Sequence, residues 1–135
     1  MAQANSKDLN IRVYYEDTDA GGIVYHTSYL RFAERGRTEY LRELGIEQSK
    51  LLAEQGVAFA VRECHVTFLS PAHLDDWLNV KTCVEKISGA KLCMSQKILL
   101  NDKELVTLDL TIACINQKGR AVRLPKEIKD RLSNN

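Results

Sequence analysis

An antiparallel five-stranded sheet wrapped around one long helix, an α+β architecture, is what this chain predicts. Its apolar residues recur at steps of three and four between Tyr29 and Leu44, and every second residue from Val57 onward. Short turn signals divide the second half into consecutive strands, so these strands pair antiparallel. Such a sheet has one apolar face that needs a cover, and only the long helix is available to supply it.

The elements follow in order. Residues 1–8 read as a polar, frayed leader. Ile11, Val13 and Tyr15 then alternate with Arg12, Tyr14 and Glu16, which predicts a first strand. After a Gly21-Gly22 loop, Thr27 or Ser28 is placed to cap the long helix. Its apolar stripe is Tyr29, Ala33, Gly36, Tyr40 and Leu44, widened by Leu30, Phe32 and Leu41. Gly36 costs helix propensity, which predicts a close approach of helix to sheet. Arg35 and Glu39 are spaced to pair on the surface. Gly45 is a left-handed stop with Ile46 folding back as its apolar contact. A short helix near Glu47–Gln55 ends at Gly56.

Val57, Phe59 and Val61 share one parity, whereas Cys64, Val66 and Phe68 share the other, so a bulge is expected near Arg62-Glu63. Pro71 closes that strand. Leu78, Val80, Thr82 and Val84 alternate up to a Ser88-Gly89 turn. Leu92, Met94, Ile98 and Leu100 alternate next, with Gln96 among them, up to an Asn101-Asp102 turn. Val106, Leu108, Leu110, Ile112 and Cys114 complete the sheet, and Lys126–Leu132 adds a terminal helical turn. One helix covers only part of five strands, so two copies joining edge to edge would complete the burial.

The 135 residues suit a single domain spanning 1–135. The net charge of +1, from 19 basic and 18 acidic residues, gives no basic excess for nucleic acid or an acidic membrane surface. The start of the chain has no apolar signal core, and no apolar run reaches membrane-spanning length, so no integral membrane segment and a cytoplasmic location are expected. Cys64, Cys83, Cys93 and Cys114 form no C-x-x-C pair and read as reduced core cysteines; no metal or cofactor is expected.

The chemistry concentrates in Arg12–Tyr29. Two carboxylates, Asp17 and Asp19, precede a Gly-Gly pair, His26 and a helix start. A carboxylate aimed at a helix N-terminus is a device for attacking or polarising a carbonyl. An Asp beside glycines often only bonds turn backbone, and that reading is preferred for Asp17. His65 and His73 read as structural.

The run Tyr15-Glu16-Asp17-Thr18-Asp19-Ala20-Gly21-Gly22-Ile23-Val24-Tyr25-His26, followed by Tyr29, resembles the hotdog-fold acyl-CoA thioesterases. The match is to their 4-hydroxybenzoyl-CoA thioesterase-like branch, including its Tol-Pal-associated bacterial members. Glu34-Arg35-Gly36-Arg37-Thr38-Glu39, Ser70-Pro71-Ala72, Leu74-Asp75-Asp76 and Leu124-Pro125-Lys126 extend the likeness over nearly the whole chain. The resemblance implies a hotdog fold and Asp19 as the catalytic carboxylate, either nucleophile or general base. It implies that the His26 backbone N–H polarises the thioester oxygen. Tyr15, Gly22 and Tyr25 become substrate-binding candidates, and Phe59 and Val61 would line the acyl channel from a partner subunit. An acyl-CoA substrate, a homodimer or homotetramer, and acyl carrier protein as a further partner are implied. Lys86, Lys91, Lys97, Arg120 and Arg123 are candidates for CoA phosphate contacts.

Two other classes compete. A D-x-D after a strand resembles the haloacid-dehalogenase-type phosphotransferases, but the parallel strand–helix alternation of that fold is missing. A non-catalytic module binding acyl carrier protein or an envelope complex would not need the Asp19–His26 segment.

Overall fold

The computed structural model describes residues 6–133. Its elements are β1 (Lys7–Arg12), α1 (His26–Glu43), α2 (Gln48–Gln55), β2 (Val57–Phe68), β3 (Trp77–Ser88), β4 (Lys91–Leu100), β5 (Lys103–Asn116) and α3 (Lys126–Ser133). All strand pairs are antiparallel, in the order β1-β3-β4-β5-β2. The two edges are therefore β1 and β2.

The first strand departs from the expected one. It starts at Lys7, inside the polar leader, because Lys7 and Asp8 pair with Thr82 and Lys81 of β3. It stops at Arg12, and Tyr15–Asp17 forms a single 3-10 turn instead. Residues 1–5 of the leader lie outside the described residues.

Helix α1 begins two to three residues earlier than expected, at His26, with Tyr25 as N-cap and no side-chain cap. Ser28 is inside the helix, and its hydroxyl donates to the carbonyl of Asp17 (3.2 Å) instead of capping. The helix ends as predicted. Gly45 takes φ +80°, Gly45 N–H donates to Arg42 O, and Ile46 N–H donates to Leu41 O while its side chain is buried. The expected Arg35–Glu39 pair does not form; Glu39 pairs with Arg42 at 3.3 Å.

Tyr29, Phe32, Ala33, Gly36, Tyr40 and Leu41 of α1 are buried against β1, β3 and β4. At Gly36 an added Cβ would stand 2.7 Å from Val80 Cγ1 and 3.1 Å from Thr82 Oγ1, so the close approach predicted there is real. Leu78, Val80, Leu92, Met94, Ile98, Leu108 and Ile112 supply the sheet side of the core. The β2 bulge falls between Val61 and Glu63, and the Asn101-Asp102 turn has positive φ at both residues. Leu44 and Leu30 are less enclosed than the stripe suggests, and Leu30 is exposed.

The helix lies toward β1, β3 and β4, which leaves the inner face of β2 thinly covered. Val61, Phe68 and the following Leu69 are each about half exposed. A trough thus runs between α1 and β2, with the start of α1 near the end of β2. Cys83 and Cys114 are buried as expected, but Cys64 is exposed on this same uncovered edge strand.

Candidate active site

The loop before α1 is a small hairpin. Thr18 bridges Val24, Asp19 N–H donates to Ile23 O (2.9 Å), and Gly22 N–H donates to Asp19 O (3.1 Å). Gly22 at φ +84° makes the turn possible. The Asp19 carboxylate accepts from Gly21 N–H (2.8 Å), and a Cβ on Gly21 would crowd it at 3.2 Å. Asp19 is otherwise exposed and faces a cavity of about 420 Å³.

Asp17 is different in kind. It is buried, its Oδ2 accepts from Tyr14 N–H (2.8 Å), and Arg31 lies 3.6 Å from its Oδ1. Its carbonyl also accepts from Tyr25 N–H (2.8 Å). Asp17 therefore holds the loop to the start of α1, as the structural reading of the sequence expected.

That tether aims the first turn of α1 at the cavity. Helix-initial amides have no partner within the helix, and that of His26 has no acceptor among the described residues. Asp19, Tyr25 and His26 line the cavity together with Tyr29, Phe68 and Ser70-Pro71. The His26 ring lies tilted against Tyr25 at 4.4 Å and meets Phe68 edge-on at 6.5 Å. The Tyr29 hydroxyl accepts from Ala72 N–H (3.0 Å), which pins the 70–72 loop to the helix; burial pushes the Tyr29 pKa up. Phe68 is the site residue that motif reading missed. Its signal was the parity flip at the β2 bulge, which turns Phe68 toward α1.

Other candidates lie elsewhere. Tyr15 is the most exposed of the large apolar side chains and lies outside this cavity. Phe59 and Val61 are not in it either. They line a second cavity of about 240 Å³ farther along the trough, with Glu34, Arg37 and Thr38 of α1. Lys86, Lys91, Arg120 and Arg123 are exposed, Lys97 is paired with Glu104 (3.2 Å), and none lines either cavity. His73 contacts Asp76 through its backbone N–H (2.8 Å), and His65 sits on β2, so neither joins the site.

Known proteins of this pattern are numerous. A protein from Haemophilus influenzae called acyl-CoA thioesterase YbgC is 44% identical over 126 residues, covering 93% of each chain. The acyl-CoA thioester hydrolase YbgC of Escherichia coli O157:H7 is 43% identical over 120 residues, covering 87% of this chain and 89% of its own. The crystal structure of a probable thioesterase from Bartonella henselae superposes with a TM-score of 0.86 at 41% identity, covering 89% of this chain and 99% of that one. The model of the thioesterase-like superfamily matches residues 13–132. The described strands, helices and site loop all fall in that span save β1 and the last residue of α3, and the chain belongs to the thioesterase-like superfamily.

Proposed function

We propose that this protein is a cytoplasmic acyl-CoA thioesterase in which Asp19 is the catalytic carboxylate and the His26 backbone N–H receives the thioester oxygen. One observation carries the reading: a solvent-reachable carboxylate and an unpartnered helix-initial amide line one largely apolar cavity. Water, or Asp19 itself, adds to the carbonyl carbon, and negative charge develops on the carbonyl oxygen. The amide and the helix dipole stabilise that charge. The C–S bond then breaks, CoA leaves as thiolate, and the acid is released once water has supplied its hydroxyl. As general base, Asp19 would take the water proton; as nucleophile, it would form an anhydride that water then opens.

Gly22 shapes the turn beneath Asp19, and Tyr25 walls the cavity. Tyr15, outside the cavity of its own chain, is left to contact the CoA portion. The thinly covered inner face of β2 supports a homodimer, with tetramers built from it, in which Phe59 and Val61 would line the acyl channel of a second copy. The association with the Tol-Pal system rests on the likeness of the opening motif. Thiol release from acyl-CoA and from acyl carrier protein thioesters, in the wild type and in Asp19→Asn, tests the reading. Loss of release in a folded variant supports it, and wild-type rates in that variant overturn it.

A further inference from the structure

The second cavity contains a charge that the proposed hydrolysis does not use. Arg37 is half-buried there, between Phe59 and Val61 of β2 and Leu92 and Met94 of β4. Among the described residues its one hydrogen bond runs from a terminal nitrogen, the donor, to Gln96 Oε1 at 3.1 Å. Gln96 is itself 1% exposed and spends its amide on Ala33 O (2.8 Å) and Thr82 Oγ1 (2.9 Å). The glutamine therefore has little freedom and fixes the guanidinium in place.

A carboxylate is the ordinary partner of such an arginine. Among the described residues none pairs with it within 4.0 Å. The nearest by sequence, Glu34, instead accepts from Thr38 Oγ1 (2.9 Å), and Thr38 accepts from Gln48 (3.2 Å). Burial lowers the Arg37 pKa, and the Glu34 carboxylate opposes that shift. A guanidinium carries five donors in a fixed fork, so several remain for a ligand.

Arg37 and His26 also share a helix face. They are eleven residues apart, close to three full turns, or about 16 Å along the axis. His26 lines the first cavity and Arg37 the second, and β2 supplies a wall to both, through Phe68 at one and Phe59 and Val61 at the other.

We propose that Arg37, positioned by Gln96, is a specificity-determining residue that binds an oxygen at the far end of the acyl group, a carboxylate above all. The assignment rests on the thioesterase reading and adds a substrate class to it: acyl-CoAs whose tails end in a carboxylate or hydroxyl. Gln96 is a positioning residue.

The test uses two series of CoA thioesters matched in length from short to long, one ending in methyl and one in carboxylate. For wild type, the carboxylate series is expected to exceed the methyl series in kcat/KM by at least about tenfold at its best length. Arg37→Met should bring that ratio to near one, mainly by raising KM for the carboxylate series, and Arg37→Lys should restore part of it. Free dicarboxylic acids should inhibit wild type competitively and Arg37→Met far less. A wild type that prefers methyl tails at every length overturns the assignment. So does an unchanged ratio in Arg37→Met, or a change in assembly mass that accounts for the loss and places Arg37 at a subunit contact. Absence of thiol release from both series by wild type overturns the thioesterase reading itself, whereas release without tail preference overturns only the role of Arg37.

Discussion

Asp17 and Asp19 are the same residue type two positions apart, and the fold gives them opposite environments. Asp17 is enclosed by Tyr14 N–H and Arg31, whereas Asp19 is open to the cavity and bonded only to Gly21 N–H. Asp17→Ala strands the part-buried Tyr14 amide and removes the carboxylate facing Arg31, so thermal or urea unfolding should show a loss of about 1–3 kcal/mol. Asp19→Asn keeps the acceptor that Gly21 uses, so its unfolding midpoint should stay close to wild type. Its hydrolysis should fall by about 10²–10⁴-fold, as removal of a positioned acid–base group does. The contrast was legible in the sequence as a whole motif, since Asp beside glycines is ambiguous residue by residue. Arg37 was not legible as a site. Its proposed role depends on Gln96, distant in sequence on β4, and a glutamine within an apolar alternation was the only local signal.

Helix α1 connects these residues to the sheet. Its apolar spacing, its Gly36 and its Gly45 stop were all readable, because they follow from helical period and backbone conformation. Its start was not, because the tether is Tyr25 N–H to the carbonyl of Asp17, a contact between backbone groups that no side-chain pattern encodes. Gly36→Ala gains up to about 1 kcal/mol of propensity but drives a Cβ into fully buried Val80. Overpacking of that kind costs about 1–3 kcal/mol, so denaturant unfolding should show a net loss of stability. Tyr29 joins α1 to the 70–72 loop, and its raised pKa sets a pH dependence. The unfolded tyrosine ionises near its ordinary value of 10.0, while the folded one holds its proton longer. Its contribution is therefore complete below pH 10 and is lost as pH rises through the higher folded value. Urea titrations at increasing alkaline pH should show a shallower decline in Tyr29→Phe than in wild type.

At the scale of the molecule, strand number and antiparallel pairing were legible from period and turns. The order β1-β3-β4-β5-β2 was not, because the pairing of β1 with β3 and of β2 with β5 is non-local. That order makes β2 an edge whose inner face α1 leaves open, and the proposed assembly rests on it. Light scattering should report two or four copies of the chain. Val61→Glu, which puts a charge on that half-exposed edge, should shift the mass toward one copy and lower thiol release. The proposed chemistry needs only the loop, the helix start and the assembled trough, with no metal to recruit. The most direct measurement is therefore thiol release from an acyl-CoA panel in the presence of a chelator, comparing wild type with folded Asp19→Asn of the same assembly mass. The expected result is chelator-insensitive hydrolysis by wild type that the variant lacks. Hydrolysis that the chelator abolishes, or that Asp19→Asn performs at the wild-type rate, would contradict a metal-free thioesterase centred on Asp19.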